Sequence, residues 1–164
     1  MTAQAFIGIG SNLGDRQTNC QKALERLDRL PTTEVIRISP FIETAPAEGV
    51  TGGPFLNGVA EITTGLPPRQ LLESLRVIEV AFGREAEHAR GCARTIDLDL
   101  LLYGDLVLNE DDLVIPHPRM AGRRFVLEPL ASIAPTVRHP VLLSTVEELF
   151  GRLGHPKPGE ESGA

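Results

Sequence analysis

Apolar residues along the 164-residue chain recur with two periods, and the switches between them mark the elements. Ala5 to Ile9 is a short apolar run that predicts a buried strand. From Asp15 to Leu30, the residues Cys20, Ala23, Leu24, Leu27 and Leu30 fall at helical spacing, and Pro31 ends the pattern. Glu34 to Ile38 is β-branched and predicts a strand stopped by Ser39-Pro40. Thr44 to Pro54 holds Pro46, Gly49, Gly52, Gly53 and Pro54 and reads as a loop. Phe55 to Thr63 reads as a strand. Pro67-Pro68 suits the first turn of a helix to about Phe82, with Leu71, Leu75, Ile78 and Phe82 as its inner stripe. A last strand runs to Tyr103, and Gly104-Asp105 is placed to turn it into a hairpin with Leu106-Val107-Leu108.

Up to Tyr103 this order is β-α-β-β-α-β. It predicts an α+β fold of ferredoxin-like arrangement, an antiparallel sheet with two helices on one face. A C-terminal extension follows. It has a Pro- and Arg-rich stretch from Ile115 to Arg124, an apolar segment from Phe125 to Ala134 and a short helix from Ser144 to Leu153. Neither internal repeats nor a linker divides the chain, so residues 1–153 are expected to form one domain and 154–164 a flexible tail.

Composition narrows the function classes. The 41% apolar and 23% charged fractions are those of an ordinary globular protein, and a chain of this length buries ~70% of its unfolded surface. A net charge of −6 argues against nucleic acid or an anionic membrane as the main partner, so any positive field must be local. Cys20 and Cys92 are too few for a disulfide framework or a structural zinc site, which fits a reducing cytosol. The opening residues lack a basic stretch and a long apolar run, so neither a signal peptide nor a transmembrane helix is expected.

Two aspartates head the last strand, in Arg94-Thr95-Ile96-Asp97-Leu98-Asp99-Leu100-Leu101-Leu102-Tyr103. Strand alternation puts Asp97 and Asp99 on one face, roughly 6–7 Å apart, with Leu98, Leu100 and Leu102 on the other. Two carboxylates at that distance repel by roughly 2–3 kcal/mol at an effective dielectric near 20. A hard divalent cation such as Mg²⁺ reverses that penalty, and it completes its shell with water and substrate phosphates. A strand start that merely faces water has the same pattern. Arg84, Arg90 and Arg94 lie just upstream, and guanidinium forks suit phosphate oxygens, although Glu85 and Glu87 are interleaved. Residues alone therefore point to a metal-dependent phosphate site or to a mixed, solvated charged loop. The run Gly8-Ile9-Gly10-Ser11-Asn12-Leu13-Gly14 is one residue out of step with G-x-G-x-x-G and lacks a P-loop lysine. It reads as a tight strand-to-helix turn, capped by Ser11, Asn12 or Asp15.

In order and spacing, five segments together resemble the 6-hydroxymethyl-7,8-dihydropterin pyrophosphokinases of folate biosynthesis. They are Ile9-Gly10-Ser11-Asn12-Leu13-Gly14; Thr44-Ala45-Pro46 with Phe55-Leu56-Asn57; Glu79 with Gly83-Arg84; Arg94 to Leu100; and Pro116-His117-Pro118-Arg119-Met120 leading into Arg123-Arg124-Phe125-Val126-Leu127. The resemblance implies transfer of pyrophosphate from ATP to the pterin hydroxymethyl group, with AMP as leaving group. It implies two Mg²⁺ ions on Asp97 and Asp99, and Arg84 and Arg94 as catalytic phosphate clamps. On the nucleotide it implies Glu79, Arg84, Arg94, Leu100, His117 and Arg123. On the pterin it implies Phe55 and Phe125 for stacking, Asn57 for the ring edge, and the backbone of Thr44, Ala45 and Ala47. A cytoplasmic monomer acting on small molecules is expected, and a non-catalytic pterin- or nucleotide-binding paralogue is the alternative. The chain departs from the family pattern in several places. Gly91-Cys92-Ala93 replaces a tryptophan-containing run, Ala86 replaces an arginine, Pro118 an aromatic and Gly122 a polar residue. Both aspartates remain, so these changes bear on loop closure and affinity.

Overall fold

A computed structural model describes residues 2–45, 53–83 and 95–154. Its main sheet is built from β1 (Ala3–Ser11), β2 (Thr33–Ile38), β3 (Ile42–Thr44), β4 (Phe55–Thr64) and β5 (Asp97–Tyr103). The order across the sheet is β2-β4-β1-β5, with β3 also paired to β4, and every pairing is antiparallel. Helices α1 (Arg16–Asp28) and α2 (Pro68–Ala81) follow β1 and β4. This is the ferredoxin-like β-α-β-β-α-β order expected from the hydrophobic pattern, with β3 as an addition.

Local chemistry explains the helix ends. Asp15 caps α1, its carboxylate accepting the Thr18 backbone N–H at 3.1 Å and the Thr18 hydroxyl at 2.8 Å. Pro68 opens α2, where a missing N–H costs nothing. After β5 come β6 (Leu108–Glu110), β7 (Leu113–Ile115), a 3-10 turn at Met120–Gly122, α3 (Arg124–Ile133) and α4 (Val146–Arg152). A reciprocal capping box between Thr145 and Glu148 starts α4.

The core lies on both sides of the sheet. Ala5, Ile7 and Ile9 of β1 pack with Cys20, Ala23, Leu24 and Leu27 of α1 and with Leu71, Leu75 and Ile78 of α2. Phe6 points the other way, into a second cluster with Val59, Leu101, Leu102 and Val126, Leu127, Leu130, Val146 and Leu149 of α3 and α4. The extension thus covers the face that a bare ferredoxin-like unit leaves open.

Four sequence expectations need correction. Thr44 lies in β3, not at the start of a loop; a three-residue strand shows no period of its own. The hairpin forms one step later than expected. Leu108 pairs with Ile115 across β6 and β7, and Gly104-Asp105 does not fold β5 onto Leu106-Val107-Leu108. Leu102 does not share a face with Leu98 and Leu100. The β1–β5 register slips between Phe6 and Ile7, with Leu102 opposite Phe6 and Leu100 opposite Ile7, so Leu101 is the extra residue and Leu102 turns to the second cluster. Gly8 and Gly10 sit inside β1, and the turn before α1 begins only at Asn12, with Asp15 as the cap. The expected tail beyond Gly154 lies outside the described residues.

Candidate active site

Three adjacent strands bring the site together through their register. Gly10 of β1 is opposite Asn57 of β4 on one side and Asp97 of β5 on the other; Gly8 is likewise opposite Val59 and Asp99. Two strand spacings put Asn57 and Asp97 roughly 9–10 Å apart across the sheet, with bare glycine backbone between them. Above this row lies a cavity of about 190 Å³, lined also by Thr44, Phe55, Arg123, Phe125 and Val126. Asp97 and Asp99 both reach it, on the same strand face as expected, while Leu98 and Leu100 are buried in the first core cluster.

Gly10 is required by a close approach. A methyl group there would lie 2.8 Å from Asn57 Oδ1. Asn57 itself is 7% exposed, and its Nδ2 donates to Thr44 Oγ1 at 2.7 Å. That bond sets the amide orientation and turns the carbonyl oxygen toward the glycine floor. Also lining the cavity, the Arg123 guanidinium lies over the Phe125 ring, 5.3 Å from its centroid. Arg123 Nε is buried without a hydrogen-bond partner, and burial disfavours its charge while the nearby Asp99 and Asp97 favour it. A half-buried cation with a spare donor beside two carboxylates suits a highly charged anion that arrives with its own cations.

Leu100 and His117 belong to a second cavity, along the outer edge of β5, which Asp99 also borders. The β6–β7 hairpin forms its far wall through Asp111, Asp112, Leu113 and Val114. The His117 ring is kept neutral. Burial, with Arg123 and Arg119 nearby, pushes its pKa down to about 4 against the opposing pull of Asp97. Its Nδ1 accepts the Arg119 backbone N–H at 3.2 Å, which places the ring proton on Nε2 as a donor.

Glu79 lines neither cavity. It is 4% exposed, and its Oε2 accepts the Leu98 backbone N–H at 2.8 Å, in the strand between the two aspartates. Ala45 is exposed and lies outside the cavity lining. Ala47, Arg84 and Arg94 fall outside the described residues. Gly8, Gly10 and Val126 were not anticipated as site residues; alternation along β1 and β4 was the signal that could have found the glycines.

Among the described residues no three His, Cys, Asp or Glu side chains gather into a closed metal site. Mg²⁺ does not need one. Two carboxylates on an open cavity wall fit a hard cation that takes its remaining oxygens from water and substrate phosphates.

The family model described as 7,8-dihydro-6-hydroxymethylpterin-pyrophosphokinase matches residues 6–135. The chain belongs to this family. The 2-amino-4-hydroxy-6-hydroxymethyldihydropteridine pyrophosphokinase of Pseudomonas aeruginosa is 39% identical over 140 residues, covering 85% of this chain and 86% of its own length. Its counterpart in Bacillus subtilis is 37% identical over 155 residues, covering 94% and 92%. A crystal structure of the HPPK-DHPS protein of Plasmodium falciparum superposes with a TM-score of 0.73 at 17% identity, over 93% of this chain and 44% of that one. At such identity the likeness bears on the fold alone, and this chain spans less than half of that structure. The pyrophosphokinase match begins at Phe6 of β1 and ends just past α3, so every described residue that lines either cavity falls inside it. No helix among the described residues is long and apolar enough to cross a membrane.

Proposed function

We propose that this chain transfers the terminal pyrophosphoryl group of ATP to 6-hydroxymethyl-7,8-dihydropterin, in folate synthesis, through the residues that meet at the two cavities. The observation that carries the residue assignment is the Asn57–Gly10–Asp97 row, which sets an amide reader and a carboxylate on the two sides of one bare floor. In the reaction the hydroxymethyl oxygen attacks the β-phosphorus, the bond from that phosphorus to the bridging oxygen on the α-phosphate breaks, and AMP leaves. The hydroxyl proton passes to solvent.

A dihydropterin is a flat ring system with donors and acceptors along one edge. Phe55 and Phe125 supply aromatic rings to the cavity lining, and Asn57 Oδ1 accepts from a ring N–H while Thr44 holds its Nδ2. Asp97 and Asp99 are the metal ligands in this reading. Mg²⁺ held there would neutralise charge on the phosphate oxygens and so lower the barrier to attack of the hydroxymethyl oxygen on the β-phosphorus. Arg123 binds the triphosphate, and its contact with Phe125 holds both side chains in place. Arg84 and Arg94 are assigned to the same clamp by resemblance. His117 Nε2–H donates to the nucleotide phosphates, and Leu100 borders its base along the β5 edge. Glu79 acts from beneath by holding the Leu98 amide, which fixes the strand that carries both aspartates. We assign this activity to residues 1–153 as one cytoplasmic, monomeric domain.

Incubation with ATP, Mg²⁺ and 6-hydroxymethyl-7,8-dihydropterin, followed by chromatography, tests the reading. AMP should appear in step with a pterin diphosphate ester and vanish under EDTA. ADP in place of AMP would contradict it. Pterin binding without turnover would favour a non-catalytic paralogue.

A further inference from the structure

The pterin wall rests on a weak element. β3 has three residues and, among the described residues, pairs with β4 alone, yet it carries Thr44, which orients Asn57. Thr44 is opposite Phe55 in the register, so this one cross-strand pair joins the hydroxyl that holds Asn57 to an aromatic wall of the cavity. Something outside the sheet must keep the pair aligned.

Arg16 is placed to do so. It is the first residue of α1, whose start is held by the Asp15 cap and whose body is anchored by buried Cys20, Ala23, Leu24 and Leu27. Its Nη1 donates to the Pro54 carbonyl at 2.8 Å, and its Nη2 bonds and ion-pairs with the Glu43 carboxylate. Glu43 directly precedes Thr44, and Pro54 directly precedes Phe55. The guanidinium fork therefore straddles the Thr44–Phe55 pair on the diagonal, tying both strands to a rigid helix. A lysine cannot do the same, because its ammonium is a point charge and not a planar fork.

We propose that Arg16 is a positioning residue for the pterin wall, clamping the Thr44–Phe55 pair from α1 without touching substrate. The proposal rests on the pterin reading of the cavity, and the test separates the two. Binding of 6-hydroxymethylpterin to the full chain is followed by its fluorescence, and binding of a non-hydrolysable ATP analogue is measured in parallel. Arg16→Ala should weaken pterin binding by about five- to tenfold and leave the nucleotide within about twofold. Arg16→Lys should fall between, keeping the charge opposite Glu43 but losing the second acceptor.

Equal pterin affinity in wild type and Arg16→Ala would overturn the proposal. So would a matching loss for the nucleotide, which would mean a general loosening of the fold. Absence of pterin binding by the wild type would overturn the reading of the cavity instead. If Arg16→Ala does not fold, Glu43→Ala removes one anchor without altering α1, and unchanged pterin affinity in that variant would equally sink the idea.

Discussion

A single methyl group at position 10 would test the floor of the site. In Gly10→Ala the added carbon meets Asn57 Oδ1 at 2.8 Å, so the amide must move off its Thr44 partner or the strands must part. The strain expected from overpacking is about 1–3 kcal/mol. Pterin affinity should fall about tenfold or more by the same fluorescence titration, while nucleotide affinity holds. Asp97→Asn and Asp99→Asn probe the proposed metal ligands. Each should keep a normal circular dichroism spectrum and lower kcat by about 10³-fold, because the lost term is several kcal/mol of charge stabilisation. Activity near wild type in either variant would remove that aspartate from the metal site. His117 titrates in a different range. Its folded pKa of about 4 lies below the ordinary 6.5, so the unfolded chain binds the proton first as pH falls. Stability tied to the neutral ring is complete above about pH 6.5 and is lost progressively toward pH 4, by about 1–2 kcal/mol once solvent screening of this part-exposed ring is counted. The urea midpoint of metal-free protein should drop over that window, and less steeply in His117→Gln. At this scale the two aspartates were legible because alternation needs only the local sequence. The neutrality of His117 was not, since it arises from burial and from Arg123, which other segments place.

Between elements, Arg69 ties α2 to the β6–β7 hairpin. Its Nη1 donates to both Asp112 carboxylate oxygens at 3.0 and 3.1 Å and its Nη2 to Glu110 at 2.6 Å. The hairpin is the far wall of the nucleotide-side cavity, so Arg69→Ala should raise the KM for ATP by about two- to fivefold and leave that for the pterin unchanged. The wild-type KM for ATP should also rise with salt, in part because these groups are exposed, and the variant should show a weaker dependence. Short elements were the least legible part of the fold. β3, β6 and β7 have three residues each, too few for a period to declare itself. Of the long ones, α1 and α2 are legible nearly to their ends from their stripes and β4 from its apolar run, whereas β1 extends two residues beyond its apolar run at each end and α3 shows in the sequence only as an apolar segment. Leu102 shows where alternation fails: one extra residue at Leu101 reverses every later side chain, and nothing in a run of leucines marks which one is extra.

For the molecule as a whole, the decisive fact is that the sheet has two cores. Helices on one face follow from the β-α-β-β-α-β order, but the apolar segment after Arg124 does not by itself say which surface it covers. Phe6, Val59, Leu101 and Leu102 supply the answer once the register is known. Leu127 is fully buried there, two residues past Phe125, so Leu127→Ala should cost about 2–5 kcal/mol in urea unfolding. Because α3 also carries Phe125 and Val126 into the cavity, that variant should bind pterin less tightly than its residual stability alone would require.

The glycine floor also limits how the site can change. Its depth comes from two missing side chains, so substitution can only make it shallower. With the pterin lying on this backbone as proposed, a flat competitor resting there cannot be shut out by remodelling beneath it without shutting out the pterin too. Selection against such a molecule is left with the rim, where Thr44, Phe55, Arg123 and Phe125 stand, and there each change trades discrimination against turnover.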